Sequence, residues 1–471
     1  MRRQLSIQHF HTMRSTTLLL FFMLFSGLVS GQGSSGLTLL GHWDDDTLPV
    51  VSPNNLRFAF SGCWGLVVNG REIAVVGGAR SILFFDVTEP SKPTLIGKFY
   101  GSATALHEVK SYRNRVYSAA GSGSEGLMIF DLSQAPDTII RTYQSTEFCN
   151  YSHTITVDTT SGRLYLNGSD ARGSGVVVLD ISQNPDKPTL LSSVDLPGGY
   201  VHDAYVRNDT FYVSSGYEGF YVFDFHDPLQ PQLLAQVSTS GYNHYSGLTR
   251  DSKYAYYAEE IPQGRPVQIV DLQNLAMNEI EITGRILDNL LPGAPPLAVP
   301  HNLFIKDDLL LVSQYEDGIL VYDIHEPLSP KLIAWYDTHP ENTAYNGYFG
   351  NWGNYPWLPS GTIITVDMQN GLFLLRLDAV SAAPEAPQAE ALQTRVYPNP
   401  AHGRFQIDAE NAEMPWQFRL FDLQGRTILE QHSLNQPKVE VQTAALPQGL
   451  FFLEIQDVRG RKQLQKVVIG G

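Results

Sequence analysis

The chain has 471 residues, 43% of them hydrophobic, and its 48 acidic against 32 basic side chains give a formal net charge of −16. That length permits two or three domains with a large core, and two cysteines are too few for a disulfide-dense scaffold. The acidic balance excludes nucleic acid as a natural partner, since phosphate backbones require clustered Lys and Arg; it suits a solvated exported protein and favours metal ions or other cations.

At the start, Arg2, Arg3 and Arg14 precede an apolar run from Leu18 to Val29, and the small residues Ser30 and Gly31 follow. This order predicts a secretory signal peptide over residues 1–31. The run is about 12 residues long, whereas a spanning helix takes roughly 20. No later segment is long and apolar enough, so no transmembrane segment is expected in the mature chain. Cys63 and Cys149 both lie just ahead of a predicted inner strand. Export permits a disulfide between them, and two unpaired thiols fit equally well.

From Ser81 the chain repeats. SILFFD, GLMIFD, GVVVLD, GFYVFD, PVQIVD and GILVYD end at Asp86, Asp131, Asp180, Asp224, Asp271 and Asp323, which lie 44–52 residues apart. A seventh copy, GLFLLRL from Gly371, carries Arg376 in place of the Asp. The period and the β-branched and aromatic runs predict propeller blades of four short strands each. In the fourth unit the strands read His202–Val206, Thr210–Ser214, Phe220–Phe223 and Leu233–Val237. Each Asp begins a turn in which a carboxylate can accept backbone N–H bonds, and where Pro follows, as Pro228 does Asp224, it blocks a continued ladder, a structural role. The seventh unit stops before its fourth strand. Leu37–Trp43 (LTLLGHW) reads like the fourth strand of the first unit and is expected to supply it. The predicted fold is therefore all-β: a seven-bladed β-propeller over 37–378, closed by an N-terminal outer strand.

The runs LMIFD, VVVLD, VQIVD and ILVYD resemble the LVIVD repeat, and the array over residues 37–378 looks like the choice-of-anchor B family of exported bacterial proteins. The resemblance implies a β-propeller at the cell surface and no established catalytic activity. Arg376 departs from the motif, as a terminal blade can.

His107, His153, His202, His244 and His301 stand at matching places, each opening a predicted first strand. First strands line a propeller's channel, so these side chains are expected to gather at one mouth. The first unit offers Gly62, Cys63 and Trp64 instead, and the seventh Asn351 and Trp352. Three readings stay open: local hydrogen bonds where strands converge, a divalent metal site, and a polar pocket for a glycan or peptide. A ring of five cannot meet one ion, so two or three of them, His153, His202 and His244, are the candidate ligands. Glu108 and Asp203 follow a histidine directly, and strand alternation turns them to the opposite face. A long segment between Trp335 and Gly361 adds Tyr345, Tyr348, Trp352, Tyr355 and Trp357, aromatic surface of the kind that receives sugars or peptides. A second insertion, 286–300, leads into His301. No nucleophile elbow, His-Glu-x-x-His, P-loop or dinucleotide fingerprint is present. A binding or scaffold protein is the favoured function, with a metal-dependent hydrolase or lyase at the histidine mouth as the rival.

Residues 379–393 (AVSAAPEAPQAEALQ) read as a linker. Strand patterns return over 394–471 at the spacing of a small β-sandwich. This module resembles the type A C-terminal sorting domain of the type IX secretion system, through Tyr397-Pro398-Asn399-Pro400, Gly403, Asp422-Leu423-Gln424-Gly425-Arg426, Leu446-Pro447-Gln448-Gly449 and the terminal Lys466-Val467-Val468-Ile469. The resemblance implies Bacteroidota-type export, the type IX machinery as partner, and an extracellular or outer-membrane surface location.

Overall fold

Every apolar run that ends in Asp forms the third strand of an antiparallel sheet. A computed structural model describes residues 33–52, 56–172, 175–291, 294–342, 344–345, 347–378, 392–409, 411–422, 426–458 and 461–470. The predicted signal peptide and most of the predicted linker lie outside the described residues. Those up to Asp378 form one compact unit and those from Leu392 another.

The first unit contains seven sheets. Their first strands are Phe60–Val68, His107–Tyr112, Thr154–Asp158, Asp203–Arg207, Asn243–Leu248, Pro300–Lys306 and Asn351–Tyr355. Six sheets have four strands, and the sixth gains a short fifth, Ser34–Ser35. The middle strands are buried over most of their length, as in Leu127–Phe130 and Ile319–Tyr322, because each sheet is covered on both faces. Hydrophobic clusters join the first sheet to the second, the second to the third, and so on to the seventh. One more, with Phe60, Val76 and Phe85 against Ile364, Val366 and Leu374, joins the seventh sheet to the first. The sheets are open and meet face to face through these side chains, an arrangement consistent with a propeller.

The turn aspartates act as the sequence indicates. Asp86, Asp131, Asp180, Asp224, Asp271 and Asp323 each accept the backbone N–H two residues on, at 2.7–3.0 Å. Each such bond contributes about 1 kcal/mol and fixes where the third strand ends. In the fourth sheet the observed strands are Asp203–Arg207, Thr210–Ser214, Phe220–Asp224 and Gln232–Val237, within a residue of the expected bounds. Leu37–Trp43 pairs antiparallel with Gly371–Leu377, Leu37 opposite Leu377 and Trp43 opposite Leu372, and so supplies the seventh sheet's fourth strand.

The second unit is built from two groups of strands. Trp416–Phe421, Thr427–Leu434, Gly449–Gln456 and Lys462–Ile469 form one, and Arg395–His402, Arg404–Asp408 and Lys438–Gln442 the other. A single parallel bridge, Ala401 to Ile469, links them. Alternate residues from both, including Phe405, Ile407, Trp416, Phe418, Leu453 and Val467, bury into one core. This is the two-layer logic of a small sandwich joined at one corner.

Candidate functional site

The repeating histidine is placed by a repeating irregularity. In the third and fourth sheets the backbone N–H of His153 and of His202 bonds to Asn167 and Ser214, the residues that also face Thr154 and Asp203 across the ladder. In the fifth, sixth and seventh sheets the register slips across His244, across His301 and Asn302, and across Trp352. Each is a bulge, two residues opposite one, and a bulge re-aims side chains that regular alternation would send to opposite faces. Asp203 consequently shares a cavity with His202, contrary to the expectation from strict alternation, whereas Glu108 lines it because its strand alternates regularly and His107 faces the other way.

That cavity has a volume of about 110 Å³. His153, His202, His244 and His301 line it from four consecutive sheets, joined by Glu260 and Trp352 among others. The rings form a continuous arc: centroids lie 4.2 Å apart for His153 and His202, 4.3 Å for His202 and His244, 3.9 Å for His244 and His301, and 4.3 Å for His301 and Trp352. Backbone carbonyls of the next sheet hold two of the rings. His202 donates from Nδ1 to the His244 carbonyl at 2.9 Å, and His301 from Nδ1 to the Trp352 carbonyl at 2.6 Å. The Nδ1 of His244 is buried and makes no hydrogen bond. A donating Nδ1 leaves Nε2 with its lone pair, the form that binds a metal or accepts a proton.

Burial sets the charge state. It holds His153 down to about 4 and His301 to about 3, and holds His202 and His244 well below the ordinary imidazole range. The four rings are neutral at pH 7. Burial also pushes Glu260 up to about 7, against the opposing effect of the Tyr315 hydroxyl, which donates to Oε1 at 2.8 Å. Asp203 is pushed up to about 8, again by burial first, with Lys110 lowering and Glu108 raising it. Lys110 itself pairs with Glu108 and lies 4.7 Å from the centre of the Trp64 ring.

His107 departs from the expected set. Its strand pairs regularly, His107 opposite Ala120 and Glu108 opposite Ala119, so alternation holds and the imidazole turns away from the cavity. It is fully buried, donates from Nδ1 to the Gly78 carbonyl at 2.6 Å, and brings Nε2 to 3.1 Å from Glu125. Gly101 permits this approach: a Cβ there would stand 2.6 Å from the Glu125 carboxylate and 2.9 Å from His107 Nε2.

The aromatic residues divide. Trp352 lines the cavity, and Tyr348 lies 5.5 Å from Tyr315, which itself packs 4.8 Å from His301. Tyr345 ties the two insertions together, donating to Asp317 at 2.7 Å and accepting from the Leu291 N–H at 3.1 Å. Trp64, Tyr355 and Trp357 do not join the histidines. They sit further along the inner strands with Phe304, at centroid distances of 4.9–6.0 Å, because Trp64 and Phe304 follow the bulges and point into the core. Cys63 and Cys149 are free and buried in separate clusters, one between the seventh and first sheets and one between the second and third. The disulfide is therefore not formed, and burial pushes both thiols up and makes them inert.

Of the expected metal trio, His153, His202 and His244 all line the cavity, yet the closest donor set is different. One ligand atom each of His244, Glu260 and His301 lies within 4.8 Å of the others. Glu260 was not singled out by the repeat. It had a signal: the residue after the second strand's mouth-side pair is Ala79, Gly121, Gly168, Ser215, Tyr315 or Met368 elsewhere, and a carboxylate in the fifth sheet alone.

A wider vestibule of about 450 Å³ shares Leu106, His153 and Trp352 with the cavity and is otherwise lined by Val51, Ser52, Thr104, Ser122 and their neighbours. Among the described residues no helix is long and apolar enough to cross a membrane.

No curated protein matches the chain. Among solved structures, it is similar to a protein from Lactobacillus plantarum, at 14% identity and a TM-score of 0.46 over 77% of this chain and 95% of that one. Residues 395–470 match the family described as Secretion system C-terminal sorting domain, and this tail indicates a protein directed to the cell surface or secreted.

Proposed function

We propose that residues 37–378 form an LVIVD-type seven-bladed propeller, exported after removal of a signal peptide over 1–31 and carried across the outer membrane of a Bacteroidota-type cell by residues 394–471, with 379–393 as the linker. On this reading it acts outside the cell as a binding or scaffold protein, and its recognition site is the histidine mouth. One observation carries the reading. Four consecutive sheets each turn an imidazole into the same cavity, and that cavity shares three residues with a vestibule large enough for an organic ligand, since small-molecule sites begin at about 300 Å³. Polar edges of neutral imidazoles beside the Trp352 face suit a sugar or a peptide backbone.

Two experiments test it. A reporter fused to residues 394–471 should reach the medium or surface of a type IX-competent host; retention in the periplasm would end the export reading. Purified protein screened on oligosaccharide and peptide arrays should capture a ligand that Trp352→Ala loses while staying folded. A ligand bound equally well by that variant would remove the mouth from consideration.

A further inference from the structure

We infer, resting on the reading of the mouth as a binding site, that His244, Glu260 and His301 hold a divalent first-row transition-metal ion, with zinc the best fit. Two imidazole nitrogens and one carboxylate oxygen are a donor set that selects such ions over calcium and magnesium, which take oxygen ligands. The spacing supports it. Nε2 of His244 stands 4.0 Å from Oε2 of Glu260, too far for a hydrogen bond, and all three donor atoms lie within 4.8 Å of one another. Ligands bonded to zinc at about 2.0–2.1 Å in a tetrahedron stand roughly 3.4 Å apart, so small side-chain rotations close the set.

Independent features point the same way. His301 is 1% exposed, and its Nε2 has no hydrogen-bonding partner within the protein, although its Nδ1 is firmly held by the Trp352 carbonyl. A buried nitrogen kept in that state wants an electrophile. Tyr315 donates to Oε1 of Glu260 and leaves Oε2 for the ion, the outer support that metal-binding carboxylates usually have. The surrounding cavity, at about 110 Å³, is below the size of small-molecule sites and admits an ion with a water or two. No Lys or Arg lines it to compete for the carboxylate. His202, in the same cavity with its Nδ1 already engaged, stands beside the set as a further nitrogen donor.

The test uses the whole mature chain, stripped with a chelator and titrated with Zn²⁺ by calorimetry, with Co²⁺ absorption as a spectroscopic probe. One ion per chain is expected, with a rise in melting temperature. His301→Ala and Glu260→Gln should each weaken binding roughly tenfold or more and abolish the thermal rise, and Tyr315→Phe should weaken it about tenfold. The isosteric Glu260→Gln guards against loss of fold, and His226→Ala, on an exposed imidazole, should change nothing. A folded wild type that binds neither ion, or variants that bind both undiminished, would overturn the inference. Array ligands captured by metal-free protein and lost in Trp352→Ala would leave the broader binding reading standing.

Discussion

His107 and His301 occupy equivalent places in the second and sixth sheets and are turned to different surroundings. Around His107 the ladder is regular, the ring faces inward among the sheets, Nδ1 is held by the Gly78 carbonyl, and Nε2 lies 3.1 Å from the Glu125 carboxylate without forming an aligned hydrogen bond. Around His301 the ladder slips, the ring faces the cavity, and Nε2 meets no protein group. Residue type alone does not decide between a histidine turned among the sheets and one turned into the cavity. One extra residue in a strand does.

The comparison can be broken most directly at Glu125. Its side chain is 3% exposed and accepts the Ser102 N–H, so Glu125→Ala removes that bond and strips the buried His107 Nε2 of the carboxylate 3.1 Å away, which should lower unfolding free energy by about 2–3 kcal/mol. His153→Ala removes a ring with no side-chain hydrogen bond to protein and should cost about 1 kcal/mol. Equal urea midpoints for the two variants would dissolve the distinction between the regular and bulged mouths.

A smaller effect separates the turn aspartates. Asp131 accepts from Ser133 N–H and also from Arg115, which is bound in turn by Asp186, whereas Asp323 is shown capping only the His325 N–H. Asp131→Ala should cost about 2 kcal/mol and Asp323→Ala about 1 kcal/mol, read from thermal or urea unfolding. Equality would mean the Arg115 network adds nothing to the cap.

The pH profile of the metal-free protein sharpens the bulged side. The four cavity imidazoles are held below their unfolded value of about 6.5, so the unfolded chain binds more protons below that pH and stability falls as pH drops from 6.5 towards 4. Glu260 and Asp203 are held up, to about 7 and about 8, so the unfolded chain loses protons first and their contribution declines as pH climbs from 4 towards those values. Four groups outweigh two below 6.5, and the carboxyls act alone above it. The contribution of the mouth should peak near pH 6.5, with slopes on the order of 1–2 kcal/mol per pH unit. His153→Gln should make the acid limb shallower and Asp203→Asn the alkaline one. A flat profile in urea unfolding at pH 5, 6.5 and 8 would show that water reaches these groups freely.

The smallest expected effect is none. Trp357→Ala, in the aromatic cluster away from the histidines, should leave zinc affinity and ligand capture unchanged. A loss of either would join the cluster to the site.

Much of this was legible in the residues. A 44–52-residue period of apolar runs ending in Asp is a backbone statement, because each Asp caps a turn locally, and Leu37–Trp43 reads as a fourth strand because its pattern copies Thr94–Phe99. The clustering of His153, His202, His244 and His301 follows from the same register. The exclusion of His107 does not, since a bulge depends on how two strands slip and leaves no mark in one strand's composition. Trp64, Tyr355 and Trp357 look equivalent to Trp352 for the same reason. Glu260 was hidden because it follows a second strand, where the period gives no reason to look. Its oddity shows only when seven hairpins are laid side by side.

The pairing of Leu37–Trp43 with Gly371–Leu377 bears on the order of events during export. Leu37–Trp43 emerges early and must remain unpaired until some 330 residues have followed it, since its partner closes the first unit. Loop closure over that separation is slow to win and puts ring completion at the end of folding. Once joined, the two strands guard each other: neither can peel away without tearing the same ladder.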